Sequence, residues 1–166
     1  MPLQPLIESL VRLNDEHKSM LKLAQGKKDA VMNNDVDNLI QILNHESRLM
    51  KRIDQLENER QEHCYAYIRE KGIKSLLNLN LTELSRLVFD PQEKQQLKDI
   101  QLELANTLHE LKQLNDLNQQ LISQALAFVD YSLDLLGASP GDEPTYAHPA
   151  GKTNSTNRAG LFDAKA

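Results

Sequence analysis

The chain has 166 residues, with 24 Asp and Glu against 19 Lys and Arg for a net charge of −5. Three Phe, four Tyr and no Trp leave a core of Leu, Ile, Val, Met and Ala. The lone Cys64 excludes an internal disulfide, no apolar run is long enough to cross a membrane, and no Lys/Arg cluster reaches the density that nucleic-acid binding requires. The opening MPLQPLIESL lacks the basic region and apolar run of a signal peptide. These features predict a cytoplasmic protein.

The first predicted helix covers residues 3–31, with Pro2 and Pro5 tolerated in its first turn. Its apolar stripe is Leu3, Leu6, Leu10, Leu13, His17, Met20 and Ala24. The pattern weakens at Gly26-Lys27-Lys28 and stops by Asn33-Asn34. The second helix covers 36–71, with Asp35 as its N-cap acceptor and Gly72 as its terminator. A leucine-rich connection follows, with a short helix expected after Thr82. The third long helix covers 91–136. Asp90-Pro91-Gln92-Glu93 supplies a capping acid, Pro at the first helical position and an acid in the first turn. Gly137 ends it.

The third long helix is the most informative stretch. Apolar residues recur in steps of three and four through Leu97, Ile100, Leu104, Thr107, Leu111, Leu114, Asn118, Leu121, Ala125, Phe128, Ser132 and Leu135. That rhythm keeps one stripe aimed at a partner helix. At 1.5 Å per residue the helix is about 69 Å long, too long for a compact globule of this size. Its charge is three bases and seven acids, with no base after Lys112. A second stripe runs through Ile122, Leu126, Val129, Leu133 and Leu136, about 100° around the helix from the first. Either this end packs between two neighbours in a bundle, or one stripe closes the core and the other receives a partner helix.

The fold expected is all-α: an elongated antiparallel bundle or coiled coil of three long helices with a short helical connection. Residues 1–136 form the helical domain. Residues 137–166 read as a flexible tail, because four of the six Gly and three of the six Pro fall there among few apolar residues.

Catalytic and metal chemistry is not legible. His17, His45, His63 and His109 lie on separate stretches, and neither a CxxC nor an HxxxH spacing occurs. The ExxH pair of carboxylate-bridged di-iron bundles is missing, as are GxxxxGK and GxSxG. The expectation is a protein that is not an enzyme and needs no cofactor or metal.

Three segments carry a family resemblance. They are Glu46-Ser47-Arg48-Leu49-Met50-Lys51-Arg52-Ile53-Asp54-Gln55-Leu56-Glu57, the stretch from Asn118 to Phe128 (NQQLISQALAF), and the tail segment Pro144-Thr145-Tyr146. In these, and in the order of its helices over residues 1 to about 150, the chain resembles the FlgN family of flagellar type III export chaperones. It departs from the family where Ala147 follows Tyr146, a place often held by Gly. The resemblance implies a cytoplasmic chaperone that binds the C-terminal helical region of the hook–filament junction proteins FlgK and FlgL and delivers them to the export gate. It agrees with the second stripe as a binding lane. Asn118, Ile122, Leu126, Val129 and Leu133 are therefore the expected substrate-binding residues, with Gln119 and Asp130 near the lane's edges and Tyr146 docking on the gate. The competing reading is a coiled-coil scaffold that self-associates through the main stripe, with Thr107, Asn118 and Ser132 setting register.

Overall fold

The computed structural model describes residues 3–74 and 79–137. Four helices follow in order: α1 (Gln4–Met32), α2 (Val36–Glu70), α3 (Leu81–Leu87) and α4 (Pro91–Leu135). By compactness the chain divides into Met1–Gln124 and Ala125–Ala166. Leu76 and Leu77 of the connection, Tyr146 and residues 138–166 lie outside the described residues.

The local start and stop signals act as expected. The Asp35 carboxylate accepts from the Asn38 backbone N–H at 3.1 Å. The Asp90 Oδ1 accepts from the N–H groups of Gln92 at 2.7 Å and Glu93 at 3.1 Å. These bonds satisfy donors that a helix start leaves free. Gly72 and Gly137 take the left-handed backbone at φ +73° and +74° that ends a helix without a Cβ clash. α3 starts at Leu81, earlier than residue 82. Asn80 and Glu83 form a reciprocal capping box, in which Oδ1 of Asn80 accepts from Glu83 N–H at 2.8 Å and Glu83 Oε2 accepts from Asn80 N–H at 3.0 Å.

α1 passes through Gly26, as the expected bounds of 3–31 require. It runs unbroken to Met32, and Gly26 faces Ile42 of α2. A Cβ there would stand 3.2 Å from Ile42 Cδ1. Its missing side chain leaves room for that contact between the helices.

In the first unit, Arg12 meets Glu59 at 2.9 Å and Lys27 meets Glu46 at 2.7 Å, so α1 and α2 run antiparallel. The Thr107 hydroxyl donates to Asn14 Oδ1 at 2.8 Å, and the Asn118 amide donates to the Ala24 carbonyl at 2.8 Å. The residue numbers advance together along both helices, so α1 and α4 are parallel. Consecutive long helices thus alternate in direction, as expected for a bundle with a helical connection.

Two apolar clusters fill the interior of this unit. One joins all four helices: Leu3, Leu6 and Leu10 meet Cys64, Tyr67 and Ile68, with Leu84, Val88, Leu97 and Ile100 closing it. The other joins three: Leu13, Met20 and Ala24 from α1, Leu49 and Ile53 from α2, and Leu111 from α4. Burying one such Leu stabilises the fold by roughly 1.5–3 kcal/mol. The buried Thr107–Asn14 and Asn118–Ala24 bonds add direction. A slip of α4 along α1 would leave these polar groups buried without partners, at about 1–3 kcal/mol each.

Candidate helix-binding surfaces of α4

The first unit carries a groove of about 440 Å³ in which all three long helices meet. Its apolar lining is Met20 of α1, Met50 and Ile53 of α2, and Leu111 and Ile122 of α4. Methionine side chains are unbranched and flexible, which suits a surface that must fit more than one apolar partner. Gln119 and Ser123 give α4's wall a polar edge. Across from it lies the Lys27–Glu46 pair, whose side chains are 16% and 17% exposed. An ion pair so little exposed is screened less by salt than one on the open surface.

Asn118 lines this groove and is nearly buried. Its amide nitrogen is committed to the Ala24 carbonyl. Its Oδ1 is buried with no hydrogen-bond partner. The side chain therefore holds α4 against α1 beneath the groove. Ile122, one helical turn later, is half-buried and forms part of the wall. Gln119 is exposed beside it.

The second unit contains the end of α4. Here the apolar side chains face solvent: Leu126 is 60% exposed, Val129 49% and Phe128 69%. Tyr131, Leu135 and Leu136 are exposed as well, and Leu133 is half-buried. Asp130 and Asp134 are exposed and are the charged residues of residues 125–137. Ser132 turns its hydroxyl back to the Phe128 carbonyl at 2.8 Å, within its own helix. The segment is thus an acidic amphipathic helix with much of its apolar surface in water. Single exposed apolar residues are ordinary on proteins; a run of this density marks a contact surface.

The expected lane is therefore divided. Ile122 belongs to the groove of the first unit. Leu126, Val129 and Leu133 belong to the exposed helix of the second. The methionines of the groove, Met20 and Met50, were not among the expected site residues. Met20 sits on α1's buried stripe, where sequence spacing marks it as core. Met50 is the neighbour of buried Leu49 and turns outward.

Among the described residues, no three His, Cys, Asp or Glu side chains come together as a metal-binding group. No helix among them is long and apolar enough to cross a membrane. The charged contacts between helices are mostly exposed, as with Arg12–Glu59 and Lys18–Glu103. A more sheltered pair joins Arg60 to Glu57 at 2.6 Å on α2. The Arg60 hydrogen bond holds the Glu57 carboxyl below its ordinary range. Burial pushes the Cys64 thiol up, against a smaller opposing effect from Arg60.

The whole chain aligns with a Bacillus subtilis (strain 168) protein named "Uncharacterized protein YvyG", at 26% identity over 166 residues and the full length of both chains. No solved structure matches the chain. The family comparison identifies residues 1–155 as FlgN protein. These residues include every helix described above, and on that match the chain belongs to the FlgN family.

Proposed function

We propose that this chain is a cytoplasmic flagellar export chaperone, not an enzyme, that holds the C-terminal helical region of the hook–filament junction proteins FlgK and FlgL and delivers them to the export gate. The observation that carries this reading is the exposed apolar end of α4. Leu126, Phe128 and Val129 lie in water on a helix that is otherwise well supplied with charge and amide groups. An amphipathic helix from an unassembled filament component has the matching need, because its own apolar face has no partner before assembly. Family membership supports the same class of function.

In this reading Leu126, Val129 and Leu133 make the contact, with Asp130 at the edge. Ile122 contributes from the groove, and Asn118 acts beneath it by fixing α4 to α1. Tyr146 is proposed as the side chain that docks on the export gate. A Tyr ring offers contact area at low ordering cost, since it has only two side-chain torsions. Binding by helix burial requires no cofactor.

The test is co-elution. The purified chain mixed with FlgK or FlgL should form a soluble complex on a sizing column. Leu126→Asp should abolish it while leaving the circular dichroism spectrum unchanged. A Tyr146→Ala chain should still form the complex and should secrete less junction protein from cells. If the chain alone runs as an oligomer that Leu126→Asp disperses, and neither junction protein binds, the scaffold reading replaces this one.

A further inference from the structure

A second groove lies along the α1–α2 seam, within the first unit, and has a volume of about 860 Å³. It shares no residue with the groove beside α4. At 100° per residue, the residues of the two grooves are turned roughly 120° from one another on α1 and roughly 145° on α2. The second groove is therefore built on the other side of the seam. Its rim is Lys22 from α1 with His45, Arg48, Lys51 and Arg52 from α2. Its floor is Leu49, which is nearly buried, and the half-buried Leu23.

The charge of this groove runs against that of the chain. The protein carries −5 overall, yet no Asp or Glu lines this cleft among the described residues. Of its four cations, Arg52 reaches a carboxylate, Glu16, at 3.6 Å. Among the described residues Lys22, Arg48 and Lys51 make no ion pair. Arg48 with Lys51, and Arg48 with Arg52, stand three and four residues apart on one helix, where like charges oppose helix formation. Gathered cations with an apolar floor are a ready surface for an acidic amphipathic ligand.

Shape selects the class of that ligand. The lining on α2 spans residues 45–55, about 15 Å along the axis. A concave channel between two antiparallel helices fits a third helix of about three turns better than a flat bilayer. The leucine floor offers nothing to a nucleic-acid backbone, and no Phe, Tyr or Trp lines the cleft as a stacking platform for bases.

We propose that this groove is a second docking surface, which takes an acidic amphipathic helix of a partner protein. Its carboxylates meet Lys22, Arg48, Lys51 and Arg52, and an apolar side chain between them seats on Leu23 and Leu49. The two grooves of the first unit share no residue, so such a partner does not compete for the side chains of the groove beside α4.

The test is an NMR titration of the isotope-labelled full chain with a helical peptide built from Glu and Leu at amphipathic spacing. A Lys/Leu peptide of the same length, anionic phosphatidylglycerol vesicles and a single-stranded oligonucleotide are titrated in parallel. The acidic peptide should shift the resonances of Ser19, Lys22, His45 and Arg48, and its affinity should fall as salt rises. Arg48→Glu combined with Lys51→Glu should weaken it by about tenfold or more, since each change replaces attraction with repulsion. Lys22→Glu alone, on the opposite helix, should weaken it less, and both chains should keep wild-type circular dichroism and wild-type binding of FlgK. The proposal fails if the peptide's shifts map elsewhere, if the reversals leave its affinity unchanged, or if vesicles or the oligonucleotide occupy the cleft and the acidic peptide does not.

Discussion

The two stretches of α4 follow one rhythm and meet opposite fates. In residues 91–118, Leu97, Ile100, Leu104, Thr107, Leu111 and Asn118 are buried. In residues 125–136, Phe128 and Leu135 continue the same stripe and are exposed. A 3.5-residue period says that a helix has a face for a partner; it does not say that the partner belongs to the same chain. In the first stretch α1 and α2 supply the neighbours. In the second, the described residues leave the surface open, and the proposed function rests on that difference.

The contrast can be broken most strongly from the buried side. Leu10→Ala or Leu97→Ala removes a fully buried side chain from the cluster that joins all four helices. Either should lower unfolding free energy by about 2–5 kcal/mol, measured by chemical denaturation. Thr107→Val keeps the shape but leaves Asn14 Oδ1 without its donor. Its expected cost is about 1–3 kcal/mol, and Thr107→Ser, which keeps the hydroxyl, should recover part of it. On the exposed side, Leu126→Asp and Val129→Asp should each change stability by less than about 0.5 kcal/mol. A loss of 2 kcal/mol or more from Leu126→Asp, on the order of a core deletion, would place that residue in the chain's own core.

Smaller effects sharpen the same picture. Glu57 is held in its charged form chiefly by the Arg60 hydrogen bond. Its carboxyl pKa is lowered on folding, so its contribution is present above the ordinary carboxylate range and fades as pH falls through the lowered value. Glu57→Gln should therefore flatten the acid side of the stability–pH curve slightly, as read by thermal melts between neutral and acid pH. Cys64 is buried, and its thiol is shifted upward by that burial. A thiol reagent at neutral pH should label it slowly in the folded chain and rapidly in denaturant.

Helix boundaries were legible because their causes are local. Asp35, Asp90-Pro91, Gly72 and Gly137 act within a turn of their own positions. Gly26 was legible only as a weak point in the apolar pattern of the first helix, because its reason is tertiary: Ile42 lies sixteen residues away and cannot be seen in a window of neighbours. The N-cap of α3 at Asn80 is legible in the Asn-x-x-Glu spacing, although the leucines around it are more conspicuous. The second stripe at the end of α4 was legible, since eleven of sixteen residues in 121–136 are apolar or Tyr; its exposure was not, because the same stripe suits a helix packed between two neighbours. The groove walls were not. Met20 reads as core and Met50 as surface until the helices are placed together.

Hydrogen–deuterium exchange along α4, with and without FlgK, tests the central claim most directly. In the free chain, backbone amides of residues 97–118 should be strongly protected and those of 125–136 should exchange fast. Adding FlgK should leave the first stretch unchanged and slow exchange in the second. Protection of 125–136 that is already high in the free chain, or that FlgK does not alter, would contradict the account.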